Sequence, residues 1–404
     1  MKVPFHRPDI GEPEIEEVVK TLRSGWLTRG PKSKKFEAEF ASAVGAKQSL
    51  ALCSGTAALH LAVEALGLRS GQGVLVPAMT FAATAEIVQY LGAFPILVDC
   101  DPITTNIDLA DAARRLEQAR TGRLPAPYPK NIDVVGIIPV HVGGYLVDFE
   151  DLNRFAGDHR LWVVEDAAHA FPAAWRPGGS ASWKRCGEGT SDVTCFSFYA
   201  NKTITTGEGG MAVTAREDLF LKMKSLSLHG LSTDAEDRYS DGKGWDYRIL
   251  DAGYKYNVTD IAASLGIHQL ARAETMRRER ERIARRYLDA FRDVPSLELP
   301  PADENRIHSW HLFPVKLRLA GLTVDRDRFV ADLREKGIGF SVHWRPLHLH
   351  PLYQKSFGWK AGDLPAASAL WPRLVSLPVY SGMTADEIDY VIDGVRELSE
   401  RHAA

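Results

Sequence analysis

The sequence predicts an α/β fold: a large domain with a mostly parallel central sheet sandwiched by helices, followed by a small C-terminal α+β domain. Two observations carry this. Apolar runs of strand length at residues 49–53, 73–77, 94–98, 134–142, 161–164 and 193–198 alternate with helix-like or polar segments, the pattern expected of strands buried on both faces of a parallel sheet. From Thr259 onward, Ile261, Leu265, Ile267, Leu270, Ile283 and Tyr287 keep a helical spacing, which makes a helix long enough to link two domains. At 404 residues and 45% hydrophobic composition the chain can bury both cores. The expected division is an N-terminal arm (1–30), a large ligand-binding domain (31–258), and a linker helix with the small domain (259–404).

In chain order, Ile15, Val18, Val19 and Leu22 mark an amphipathic helix, which Gly25 to Pro31 break into a turn. Residues 49–53 form a strand that runs through Ser54, Gly55, Thr56 and Ala57 into a helix. Unpaired amides and the helix dipole make that junction an anion site on Gly55, Thr56 and Ala57. Read from the residue alone, the commoner role for Thr56 is a helix cap. The strand at 73–77 leads to Thr80, a predicted cap, and to Phe81 in the first helical turn. Residues 176–192 and the region from Ser227 to Trp245 lack periodicity and are expected to be surface excursions. Beyond the linker helix, 311–315 and 338–343, with helices near 325–335 and 385–397, supply the small domain.

A formal net charge of -3 gives no global basic field, so neither nucleic acid nor an anionic membrane is an expected partner. The basic cluster at 277–282 is interleaved with glutamates and reads as a solvated helix face. Four cysteines without Cys-x-x-Cys spacing favour neither zinc nor a disulfide scaffold. His343, His348 and His350 lack a regular ligand spacing, so no metal is expected. There is no run of membrane-spanning length and no signal-peptide core, and a cytoplasmic location is expected.

Chemistry centres on residues 196–210, where an apolar strand delivers Lys202 to a glycine-rich turn. A partly desolvated lysine becomes a nucleophile toward aldehydes. The strand at 161–164 leads into Asp166. Open α/β sheets bind ligands beyond the carboxyl ends of their strands, so Asp166 and Lys202 are expected to face one crevice. A lysine for the aldehyde and an acid for the pyridinium nitrogen are what pyridoxal 5′-phosphate requires.

Glu165-Asp166-Ala167-Ala168-His169, the stretch from Phe196 through Lys202 to Gly210, and Gly253-Tyr254-Lys255-Tyr256-Asn257-Val258-Thr259-Asp260 together resemble the DegT/DnrJ/EryC1/StrS family of sugar aminotransferases, from Trp26 to Tyr380. The resemblance implies a fold-type-I pyridoxal-phosphate transferase with Lys202 and Asp166 as catalytic residues. It places the cofactor phosphate on Thr56, Ala57 and Ser197, and stacks Phe81 on the pyridine ring. His169 stands where many members bond the phenolic oxygen through a glutamine. Lys255 or Asn257 would reach the phosphate of the partner's site in a homodimer with shared active sites; the commoner pattern there is Gly-x-Asn-Tyr-Arg. Trp26, Thr28, His343 and His348 are implied near the substrate. The implied reaction is ping-pong transfer of an amino group from an amino acid, by family habit L-glutamate, to a nucleotide-linked keto sugar. A UDP-linked 4-keto sugar is the first choice of acceptor and a 3-keto sugar the second. A catalytically silent binding protein on the same scaffold is disfavoured by the presence of Asp166, Ser197 and Lys202.

Overall fold

Strands form where aliphatic residues run unbroken, and the computed structural model, which describes residues 1–178, 180–232 and 247–404, contains most of those expected. In chain order they begin with β1 (Gln48–Leu52), β2 (Gly73–Pro77), β3 (Phe94–Val98), β4 (Val134–Ile137) and β5 (Trp162–Asp166). Two short strands, β6 (Ala174–Trp175) and β7 (Lys184–Arg185), precede β8 (Val193–Ser197) and β9 (Gly210–Thr214). Seven of these build one sheet in the order β1-β9-β8-β5-β4-β2-β3. Pairings from β8 through β5, β4 and β2 to β3 are parallel, and β9 alone runs against its neighbours. β9 is not among the predicted strands, because its apolar centre, Met211-Ala212-Val213, is short and follows a glycine pair.

Helices follow the expected alternation: α1 (Glu12–Ser24), α2 (Pro31–Val44), α3 (Gly55–Ala65), α4 (Ala83–Tyr90), α5 (Leu109–Thr121), α6 (Phe149–His159) and α7 (Glu217–Leu226). The long helix α8 (Asp260–Phe291) is capped by Thr259, whose hydroxyl accepts the Ala262 amide. Its first residue fixes a second helix as well. The buried Asp260 carboxylate accepts from the amides of Gly30, Lys32 and Ser33 and from the Ser33 hydroxyl at 2.6–3.0 Å, so it neutralises the amino end of α2.

The apolar core falls into two clusters. One surrounds the sheet and takes in Leu347, Tyr353, Trp359 and Leu374; the other gathers Tyr287, Phe313, Phe329, Val375 and Val391. Val3, from the N-terminal segment, belongs to the second cluster and bridges to Ile338.

Three local expectations are corrected. Thr80 does not cap α4; Ala82 holds that position, and the Thr80 hydroxyl instead meets that of Thr84 at 2.7 Å. The stretch 176–192 is not wholly irregular, since β7 lies within it and pairs with β6, which also pairs with Arg306–Ile307. The cluster at 277–282 is only partly solvated. Arg280 is fully buried and donates from Nη1 to the Val379 carbonyl at 2.8 Å and the Trp310 carbonyl at 3.3 Å, while Arg277 is buried between Glu274 and Glu281. A charge pattern shows one helix face and cannot show what packs on the next. Of the excursion expected between Ser227 and Trp245, residues 233–245 lie outside the described residues.

Candidate active site

β5 and β8 are parallel neighbours with Asp166 opposite Cys195, so both strands end at one edge of the sheet. Beyond Ser197 the chain turns: the Lys202 amide donates to the Tyr199 carbonyl and that of Thr206 to the Phe198 carbonyl, with Gly207 at φ +78°. This turn brings Lys202 back over the strand ends. Asp166 and Lys202 line one cleft of about 620 Å³ together with Gly55, Thr56, Phe81, His169, Ser197 and His343.

The Asp166 carboxylate is only 6% exposed. It accepts the Thr84 hydroxyl on Oδ2 at 2.7 Å and the Ala168 amide on Oδ1 at 3.2 Å. Burial pushes its pKa up, opposed by these bonds and by the charge of Lys202. Burial lowers the Lys202 amine to about 8, with Asp166 pulling the other way. An amine at that value keeps a minor but usable neutral fraction near physiological pH, far larger than a solvated lysine does, and that fraction can act as a nucleophile.

At the other end of the cleft, Ser54 is the cap of α3: its Oγ accepts the Ala57 amide at 3.0 Å. That settles the Thr56 alternative against capping and commits the Ala57 amide, leaving Gly55 and Thr56 as the amides at the helix mouth. Gly55 lies so close to β8 that a Cβ would fall 3.0 Å from the Ser197 Cβ, and a Cβ on Gly210 would fall 2.4 Å from the Ser54 carbonyl. The glycines thus make a small cradle beside the Ser197 hydroxyl. Phe81 is 65% exposed within the cleft, an apolar ring with a face free to cover a heterocycle.

His169 is buried, and its Nδ1 accepts the Gly143 amide at 3.3 Å, which assigns the ring proton to Nε2. Burial and the Lys202 charge keep it neutral, so it offers an N–H to the cleft. His343 also lines the cleft; its Nδ1 meets the Ser376 hydroxyl at 2.9 Å and its pKa falls to about 4 through burial.

Other expected site residues lie away from this cleft. Trp26 donates its indole N–H to the Arg29 carbonyl and covers Gly30, where a Cβ would fall 1.9 Å from the indole nitrogen. Thr28 is exposed beside it. His348 is fully buried against the Ser368 hydroxyl at 2.8 Å. Lys255 is exposed, and Asn257 pairs with Leu52 and donates to the Val258 carbonyl; neither lines the cleft of its own chain. Conversely, the sequence reading assigns no role to Thr84, Asn201, Glu208, His311 or Trp344. Asn201 and Glu208 lie within the 196–210 motif and Thr84 is spaced four residues from Thr80, whereas His311 and Trp344 carry no such signal.

On the opposite face of β5, Glu165 is held by three donors: His141 Nε2 at 3.0 Å, the Thr190 hydroxyl at 2.5 Å and the Cys186 thiol at 3.7 Å. His141, Glu165 and Cys186 could geometrically hold a metal. Their hydrogens already point at the carboxylate, and the cluster reads as a satisfied buried anion.

A sequence model of the DegT/DnrJ/EryC1/StrS aminotransferase family matches residues 8–396. The chain belongs to this family. This aminotransferase is 43% identical to protein MJ1066 of Methanocaldococcus jannaschii over 396 residues, 98% of this chain and 97% of that one. It is 42% identical to the spore coat polysaccharide biosynthesis protein SpsC of Bacillus subtilis over 397 residues, with the same coverage of 98% and 97%. Among solved structures it is similar to the putative sugar aminotransferase Spr1654 from Streptococcus pneumoniae in its PMP-form, with a TM-score of 0.87 and 31% identity over 99% of this chain and 98% of that one. The PLP-form of the same protein gives a TM-score of 0.86 at 31% identity over 99% of each chain.

The cleft fits pyridoxal 5′-phosphate. It offers a nucleophilic amine, a carboxylate with lone pairs left over for a protonated ring nitrogen, an open aromatic face, and a glycine cradle at a helix amino end for the phosphate.

Proposed function

We propose that this sugar aminotransferase, with pyridoxal 5′-phosphate as its cofactor, moves an amino group from L-glutamate to a nucleotide-linked keto sugar, at C4. The observation that carries the reading is the meeting of Asp166 and Lys202 in one cleft at the ends of adjacent parallel strands. The cofactor supplies an aldehyde to carry nitrogen and a ring that accepts an electron pair. Lys202 Nζ would be the amine that holds the cofactor's aldehyde, and when free it would be the base placed to take up and give back the proton of the donor Cα. Asp166 would keep the ring nitrogen protonated, and Thr84 and the Ala168 amide fix its carboxylate for that task. His169 would steady the phenolic oxygen through its Nε2–H. No helix among the described residues is long and apolar enough to cross a membrane.

Two halves then follow in ping-pong order: glutamate leaves as its keto acid, and the sugar ketone leaves as an amine. The decisive assay incubates the purified protein with L-glutamate and a panel of UDP- and dTDP-linked 3-keto and 4-keto sugars. Formation of 2-oxoglutarate that depends on a 4-keto sugar supports the reading, and no amino transfer to any member overturns it.

Charge supports a shared site. Lys202 is the one lysine or arginine lining the cleft among the described residues, and it is committed to the aldehyde. The phosphate and the donor carboxylates therefore need positive charge from elsewhere, which we assign to the exposed Lys255 of a second copy in a homodimer. Lys202→Ala and Lys255→Ala homodimers are each expected to be crippled. Mixed in heterodimers, they should regain activity, because one of the two sites then carries neither change. Absence of complementation in a purified heterodimer would place Lys255 in its own chain's site, and an unimpaired Lys255→Ala homodimer would place it outside the machinery.

A further inference from the structure

Once Lys202 and Asp166 are assigned to the cofactor, the only charge remaining on the cleft wall, among the described residues, is Glu208. The rest of the lining carries no charged side chain and includes the rings of Phe81, Tyr199 and Trp344. Trp344 is half-buried and lines the cleft, with its ring nearly parallel to that of His169 (19°, centroids 5.2 Å apart). The His169 ring also meets His311 at 4.2 Å, so Trp344 is held on a rigid stack of rings. Two buried polar atoms of residues lining the same cleft have no hydrogen-bond partner: Asn201 Oδ1 and His311 Nδ1. Buried polar atoms are normally satisfied, and a pair of orphans in a cleft marks where a ligand's polar groups belong. Burial keeps His311 neutral, which adds no charge to the wall.

A flat apolar ring beside neutral hydrogen-bonding atoms matches a pyranose, whose C–H face is apolar and whose rim carries hydroxyls. It does not match a phosphate or carboxylate, which Glu208 would repel. We infer that Trp344 is the platform on which the acceptor's sugar ring lies, with Asn201 Oδ1 and His311 Nδ1 bonding its hydroxyls; this rests on the sugar-aminotransferase reading above. The nucleotide then stays toward the mouth of the cleft, and only the sugar enters.

The test separates the two half-reactions. The donor half is followed by the change in cofactor absorbance on mixing with L-glutamate alone, and the acceptor half by the reverse change with a keto-sugar nucleotide. Trp344→Leu, which keeps an apolar side chain without a flat ring, is expected to raise the acceptor KM about tenfold or more. Trp344→Phe should recover most of that loss, and Asn201→Ala should raise the same KM severalfold. In the wild type a nucleotide-linked hexose should bind more tightly than its free nucleoside diphosphate by calorimetry, and Trp344→Leu should narrow that gap. Equal losses in both halves, or an unchanged acceptor KM and binding gap in Trp344→Leu, would overturn the platform while leaving the aminotransferase intact. A wild type that accepts glutamate but aminates no sugar would remove the reading itself, and the platform with it.

Discussion

Lys202→Ala is expected to lower turnover at least about 10³-fold, because it removes both the covalent anchor and the group that carries the proton between carbons. Borohydride reduction followed by peptide mapping should find phosphopyridoxyl on Lys202 in the wild type and on no residue in the variant. The tertiary structure makes this a demanding forecast: burial brings the amine to about 8, and a solvated lysine elsewhere on the surface has no such activation. Cofactor trapped on a different lysine of the variant, with turnover retained, would remove Lys202 from the mechanism.

Asp166→Asn is expected to cost about 10²–10³-fold in kcat/KM while leaving the lysine–cofactor bond reducible by borohydride. The amide keeps the shape and the oxygen that accepts from Thr84, but it cannot hold a proton on the ring nitrogen by charge. The variant also tests the electrostatic coupling. Asp166 favours the charged form of Lys202, so removing its charge lowers the amine pKa further. The rate at which apoenzyme captures pyridoxal 5′-phosphate rises as the amine deprotonates, and in the variant this rise should occur at lower pH than in the wild type. A rise at unchanged pH would mean that the two side chains do not sense one another across the cleft.

Much of the site was legible because strand ends are legible. The runs before Asp166 and Lys202 are short, apolar and closed by small residues, and the rule that ligands gather beyond the carboxyl ends of parallel strands joined them before any coordinates did. The cradle was legible in outline, since a strand leading through Ser-Gly-Thr into a helix has amides to offer. Which amide remains available was not. Ser54 rather than Thr56 caps α3 and takes the Ala57 amide, a choice made by backbone geometry at a single residue. Likewise the local sequence marks Thr80 as a cap because caps are local, whereas its hydroxyl serves Thr84 and, through it, Asp166 across the sheet edge.

The order of residues alone determined the alternation of strands and helices, the lysine and the acid, and the family. Their chemistry is local, and short-range patterns encode it. Only the folded chain decided that β9 inserts antiparallel between β1 and β8. It alone buried Arg280 in a helix face that looks solvated and set the ring of Trp344 on His169 from 175 positions away. Those outcomes depend on what packs against each residue from distant sequence, and periodicity carries no record of a neighbour that arrives only on folding.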